Sequence, residues 1–278
     1  MKLISIDIKA DFGMLKKPDT NEPVYLTFNM LHKPALLGIL GAIAGLKGFQ
    51  KNGELPEYYE KLKDIQVGIM PLPNDKSREK SYHENGNFTK TIISYTNTTG
   101  FANEGEPFKS NGKTIKPGAT IMVAEQTLIS PAFRCFALLN DAIDEQSKII
   151  KNLLSYQAEF VPYFGKNDCS LWWENTKEVE YSGFVPDGSF KIDSLFVKEE
   201  AVKDGMKRPR FIPGRIRSLE NLPFMYFEHL PISYMGKPLF QYAYKPFALT
   251  NHELKEEYCL PNSISLIKLE SDEIIQLF

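Results

Sequence analysis

The apolar residues of this chain change their period in a fixed order, and that order limits the folds it can reach. Ile4, Ile6, Ile8 and Ala10 alternate with Ser5, Asp7 and Lys9, the period of two of a half-buried strand. Leu36, Ile39, Leu40 and Ile43 then share one face at helical spacing, and Pro34 suits the first helical position, where its missing N–H would be unpaired anyway. Val24 to Phe28, Ile65 to Met70, Phe88 to Thr96, Thr120 to Ile129 and Ala132 to Leu139 read as extended, and Pro56 to Leu62 as a short helix. A second long helix is expected from about Asp141 to Tyr156. Asp141 would be its N-cap, Asp144 and Glu145 would sit in the first turn, where the macrodipole favours acid, and Ile149, Ile150, Leu153 and Leu154 would share a face with Ile143 and Gln146.

On the opposite face of the first helix stand Gly38, Gly41 and Gly45. Each mid-helix glycine costs about 1 kcal/mol against alanine, so three on one stripe suggest that another backbone comes close: a strand, a partner subunit or RNA. After the second helix the chain offers only short extended runs, among them Phe224 to Phe227, Phe240 to Tyr244, Ile264 to Leu269 and Ile274 to Leu277. The order strand, helix, strand, strand, helix, strand fits an α+β ferredoxin-like (RRM-like) core, and it also suits other α+β folds. Turn-rich stretches at 71–87 and 97–117 suggest a β-hairpin inserted into that core at about 71–119. The division expected is residues 1–200 for the core with its insertion and 201–278 for a β-rich C-terminal extension packed on it.

Composition narrows the function classes. The formal net charge is −2, whereas a free-standing nucleic-acid binder usually carries a positive excess; any such contact must be local. Cys135, Cys169 and Cys259 show no ligand spacing and read as free, buried thiols of a reducing compartment. The start of the chain shows no signal-peptide pattern, and its longest apolar stretch, Ala35 to Leu46, is too short to span a membrane. A cytoplasmic location is expected. The sequence holds no G-x-S-x-G elbow, P-loop, dinucleotide fingerprint or H-E-x-x-H, and no acidic cluster at ligand spacing, so neither a metal nor a cofactor is expected.

Three stretches carry more than periodicity: Phe28 to Gly45 (FNMLHKPALLGILGAIAG), Glu125 to Arg134 (EQTLISPAFR) and Pro162 to Asn167 (PYFGKN). In order and spacing they resemble the Cas-five family of CRISPR-associated proteins, closest to type I-B members, over roughly the first 170 residues. The resemblance implies a ferredoxin-like fold of the repeat-associated RNA-binding superfamily with an inserted hairpin thumb. It also implies a subunit of a type I effector (Cascade) complex in antiviral defence. Such a subunit caps the assembly, hooks the 5′ handle of the guide RNA, touches the backbone and large subunits, and meets target DNA only indirectly.

Handle RNA is single-stranded, so phosphate contacts and stacking should dominate its recognition. His32 and Lys33 open the glycine helix, where free N–H groups favour a phosphate; the same turn is also consistent with a capped core helix and a solvated lysine. Asn97, Thr98, Thr99, Gly100 and Phe101 lie at or beside the thumb, with Phe101 either wedged between bases or tucked under a turn. Lys90, Lys109, Lys113 and Lys116 add charge along the insertion, and Lys166 sits inside the third motif. Between positions 203 and 217 six cations, Arg208, Arg210, Arg215 and Arg217 among them, surround a single acid, a patch suited to phosphate oxygens or to an acidic partner. A non-catalytic role is expected. The alternative is a metal-independent repeat endoribonuclease: the type I-C relative resembles other superfamily nucleases in using Tyr, Lys and His, and His32, Lys33 and Tyr25 are the residues here that match those types.

Overall fold

The computed structural model describes residues 1–19, 24–73, 87–97, 108–115, 121–198, 211–212, 224–237, 239–254 and 265–278. The chain begins with β1 (Lys2–Ala10) and the short β2 (Phe12–Gly13), then α1 (Lys33–Ala44), α2 (Glu57–Leu62) and β3 (Gln66–Pro71). Next come β4 (Lys90–Asn97), β5 (Phe108–Ser110), β6 (Lys113–Ile115), β7 (Ile121–Ile129) and β8 (Ala132–Leu139). They lead into α3 (Asp144–Leu154), β9 (Leu171–Glu178) and β10 (Tyr181–Gly183). Among the described residues the later elements are all strands: β11 (Phe196–Val197), β12 (Phe211–Ile212), β13 (Met225–Tyr234), β14 (Tyr242–Thr250), β15 (Glu253–Leu254), β16 (Ser265–Leu269) and β17 (Ile274–Leu277). The α+β class expected from the sequence is what forms, with antiparallel sheets.

A four-stranded sheet in the order β3-β8-β1-β9 organises the first half, every neighbouring pair antiparallel. Ile4, Ile6 and Ile8 of β1 join Leu36, Leu40 and Ile43 of α1 and Ile149 and Leu153 of α3 in one apolar core. The expected half-buried β1 is instead covered on both faces. Leu3 packs in a second cluster with Phe136 of β8 and with Ile267, Ile275 and Leu277 of the β16–β17 hairpin. Asp7 is buried beneath a bidentate Arg134 (2.7 and 2.9 Å) and a hydrogen bond from Asn175 (2.9 Å). Burial raises the Asp7 carboxyl, but those two hydrogen bonds and the charges of Arg134 and Lys9 outweigh it and hold it below the usual carboxylate range.

The second helix starts later than expected. Ile143, not Asp141, is at its N-cap position, because Asn140 closes the preceding turn: its side chain accepts from Ala142 N and its own N–H donates to Gln146. The glycine stripe also resolves differently. Gly45 is the C-cap of α1, with φ of 80°, its N–H donating to Ala42; it ends the helix in the left-handed conformation that glycine adopts freely. At Gly41 the close neighbour is α2 of the same chain, none of the three expected. A Cβ there would fall 2.4 Å from Cβ of Tyr58. Gly38 leaves its Cβ position 3.6 Å from the Tyr58 ring, ordinary contact distance.

Strands β4 and β7 pair along their length, from Lys90 opposite Leu128 to Asn97 opposite Ile121, and β5 pairs with β6 in a shorter hairpin. Ile92, Ile93 and Met122 of the longer ribbon are exposed. The region 97–117 read from the sequence as loop thus contains a hairpin, turned at Asn111 and Gly112 with φ of 49° and 72°. Val24 to Phe28, read as a strand, makes only isolated bridges, Tyr25 to Glu125 and Thr27 to Lys16.

Candidate functional site

A cleft of about 390 Å³ runs along the glycine face of α1. Its floor is helix surface with almost no side chain, at Ala35, Gly38 and Ala42. One wall is the segment 160–165, which is held in place from both ends. Phe160 N donates to the Ala42 carbonyl (3.0 Å) and Phe164 O accepts from Met14 N (3.1 Å). The Phe164 ring is fully buried and stacks on Phe133. Phe160 and Tyr163 consequently keep about half of their surface exposed at the rim. Tyr58, Tyr234 and Tyr242 make the other wall.

The three phenols form a hydrogen-bonded chain. Tyr58 and Tyr234 hydroxyls lie 3.4 Å apart, and the Tyr234 hydroxyl donates to that of Tyr242 at 3.4 Å. Burial, above all, pushes their proton affinity up, so they remain neutral donors. The Tyr242 and His32 rings meet in a T-shaped contact, 5.5 Å between centroids. His32 is 4% exposed, and its Nδ1 caps α1 by accepting from Ala35 N (3.3 Å). Burial drives its pKa down to about 3. Since Nδ1 accepts, the neutral ring carries its proton on Nε2.

Glu228 of β13 fixes the turn that delivers His32. Its carboxylate accepts from Asn29 N (3.1 Å), Met30 N (3.2 Å) and the Tyr226 hydroxyl (2.6 Å), and Lys17 Nζ lies 3.3 Å away. At the cleft's edge Lys16 is exposed, lies 3.8 Å above the Tyr25 ring centroid, and forms no ion pair among the described residues.

The residues singled out from sequence divide among three situations. His32 borders the cleft, but as the cap of a core helix, one of the two alternatives the sequence left open. Lys33 turns away: its ammonium donates to the Phe278 carbonyl (3.1 Å), and burial lowers its pKa to about 8 despite Asp64. Lys90 donates to Asn29 Oδ1 and to the Phe88 carbonyl. Lys166 joins the third motif to the second, pairing with Glu125 at 2.7 Å and reaching Asp168 and the Tyr95 hydroxyl. Partial burial works against its charge; Glu125, Tyr95 and Asp168 outweigh it and raise the ammonium above the usual lysine range. Asn97 is described as backbone only, and Thr98, Thr99, Gly100, Phe101, Lys116, Arg208, Arg210, Arg215 and Arg217 lie outside the described residues. Sequence reasoning missed Lys16, Tyr58, Tyr234 and Tyr242. They are scattered along the chain, and no local pattern marks them.

Cys135 and Cys169 are free and buried, and Cys259 lies outside the described residues. Among the described residues no cluster of His, Cys, Asp and Glu suits a metal ion, and no helix is long and apolar enough to cross a membrane.

No family model matches the chain, and no curated protein does. Solved structures resemble it in shape. A CRISPR protein from Archaeoglobus fulgidus aligns over 99% of this chain and 99% of its own, with 14% identity and a TM-score of 0.48. A chain of a CRISPR RNA-guided surveillance complex aligns over 93% and 94%, with 13% identity and a TM-score of 0.46. A chain of the Type III-B Cmr-beta complex bound to cognate target RNA and AMPPnP aligns over 91% and 86%, with 10% identity and a TM-score of 0.42.

Proposed function

We propose that this chain is a Cas-five-like, type I-B-like subunit of a CRISPR effector complex that binds the 5′ handle of the guide RNA without cleaving it. The observation that carries the reading is the convergence of the three motifs. The first supplies the floor of the cleft and the third contributes Tyr163 and Gly165 to its outer wall, and Lys166 of the third is salt-bridged to Glu125 of the second. Segments more than a hundred residues apart thus build one surface. It offers exposed rings, an uncrowded helix backbone and the Lys16 ammonium, the features that suit single-stranded RNA.

The core supports the same reading. Strands β1, β3, β8 and β9 with α1 and α3 run β-α-β-β-α-β, and the spatial order β9-β1-β8-β3 is that of a ferredoxin-like sheet. We take the β4–β7 ribbon as the inserted thumb. The absence of cleavage is argued from His32. A general base works best with a pKa near the operating pH, whereas His32 is buried, committed to a cap and held at about 3. The ring of Tyr25, its candidate partner, lies beneath Lys16.

Purified protein incubated with labelled repeat RNA in EDTA should bind the handle and yield no product. Specific cleavage would establish the endoribonuclease alternative. Reversing the charge of Arg208, Arg210 and Arg215 should weaken binding and flatten its salt dependence by about 2 in log–log slope, at about 0.7 per phosphate on single strands. An unchanged affinity and slope would remove that segment from the interface.

A further inference from the structure

The ammonium of Lys166 has no proton left for a phosphate. An ammonium carries three N–H donors, and three acceptors surround this one: Glu125 Oε2 at 2.7 Å, the Tyr95 hydroxyl at 3.2 Å and Asp168 Oδ2 at 3.3 Å. The Tyr95 hydroxyl in turn donates to Glu125 Oε1 (3.0 Å). Tyr95 stands on β4 and Glu125 on β7, so one side chain from outside the ribbon grips both of its strands. The Lys166 and Glu125 side chains are 29% and 13% exposed, and a pair covered to that degree is screened less than one in open solvent.

The level of the contact matters. Nearer its base the ribbon is tied to the body through backbone: Phe12 and Gly13 pair with Ile129 and Leu128. Tyr25 N then donates to the Ala124 carbonyl (2.9 Å), and Gln126 N to the Tyr25 carbonyl (2.8 Å). Among the described residues these backbone ties end at Ala124, while the pairs Thr96–Met122 and Asn97–Ile121 lie farther out. Lys166 meets the ribbon where the ties end. Its own turn is firmly held: Cys169 N donates to the Lys166 carbonyl (2.9 Å), Phe164 N to the Cys169 carbonyl (2.7 Å), and Gly165 lies against the Met14 carbonyl.

Resting on the proposed function, we propose that Lys166 is a positioning residue for guide-RNA binding: it touches no nucleotide and instead sets the angle of the β4–β7 ribbon against the cleft. Its effect is preorganisation. A ribbon already held in its binding attitude raises the fraction of the protein that is competent to bind.

Lys166→Met keeps an unbranched side chain and removes the ammonium; hydrogen exchange followed by NMR and RNA binding followed by fluorescence anisotropy test it together. Exchange at the Tyr25 and Gln126 amides should quicken about 3- to 10-fold, and affinity for handle RNA should fall by a similar factor, since apparent affinity scales with the competent fraction. Binding is measured at room temperature, with the variant shown to be folded by circular dichroism; a merely structural lysine would lower the melting temperature and leave that affinity unchanged. The salt dependence should keep its slope, whereas losing a lysine that contacts a phosphate would lower it by about 0.7. Tyr95→Phe, which leaves the Glu125 pair in place, should show smaller changes of both kinds and carries the test should Lys166→Met not fold. The double variant should lose no more than Lys166→Met alone. Unchanged exchange at Tyr25 and Gln126, unchanged affinity, or a slope lowered by about 0.7 overturns the positioning role and leaves the proposed function standing. Handle RNA that does not bind the native protein removes both.

Discussion

Gly165→Ala is expected to cost the fold about 3 kcal/mol and to lower its melting midpoint by about 6 to 10 °C. Gly165 has φ of +82°, and a Cβ there would lie 2.1 Å from the carbonyl oxygen of Met14 and 2.7 Å from its carbon. Both obstacles are backbone, so no rotamer change relieves them. The left-handed conformation alone accounts for about 1–2 kcal/mol. The rest comes from moving 162–167 away from Met14, which strains the Phe164 carbonyl bond to Met14 N and the Phe133–Phe164 stack. Gly188 supplies the control: its φ is also +82°, but nothing lies within 4 Å of the added Cβ. Gly188→Ala should show the conformational cost without the collision, about 1 kcal/mol. Equal losses in the two variants would show that the close passage at Met14 does not matter.

Acid should expose the second large effect. His32 has an ordinary value of 6.5 when unfolded and about 3 when folded, because burial penalises its cation. Between those values the unfolded chain binds the extra proton, so stability rises with pH across the window and is fully present above 6.5. At about 1.4 kcal/mol per unit, this one group should remove about 2 kcal/mol on going from pH 7 to pH 5. The other shifted groups act elsewhere. Lys33, held at about 8 against 10.5, changes stability only in the alkaline range, and the depressed Asp7 acts only below its ordinary 3.8. Chemical denaturation at pH 7 and pH 5 measures the slope. In His32→Asn, whose side-chain oxygen can also cap α1, the dependence should shrink by about 2 kcal/mol; an unchanged slope would contradict the assignment.

Much of the core was legible in the sequence because packing there is local and periodic. The period-two run of β1 and the helical run of α1 each announce their own element, and the Ser130-Pro131 break divides β7 from β8. What failed was contextual. Half-burial is the normal meaning of alternation, but a C-terminal hairpin joined by no local signal covers Leu3. The glycine stripe did imply a close neighbour, yet nothing in α1 says that the neighbour is Tyr58. One signal was present and passed over: Asn111-Gly112 is the dipeptide that two-residue hairpins favour, because both positions take positive φ.

The cleft was only half legible for the same reason. Its glycine floor and residues 162–165 of its wall lie within recognisable motifs. Its tyrosine wall comes from α2 and the β13–β14 ribbon, and strand register brings Tyr234 opposite Tyr242. Glu228, which secures the turn before α1, lies about two hundred residues from the amides it holds. Charge was misleading in detail. Lys33 and Lys166, noticed within their motifs, and Lys90, noticed along the insertion, are engaged by the protein itself, whereas Lys16, which stands in no motif, is an exposed cation at the cleft.

Photo-crosslinking tests the central claim most directly. Handle RNA carrying 4-thiouridine at successive positions, irradiated with the purified protein in EDTA and mapped by mass spectrometry, should attach to peptides from 32–45 and 160–167. The RNA should remain uncut. Attachment confined to the β16–β17 hairpin or to α3, with those two segments unmodified, would contradict the account.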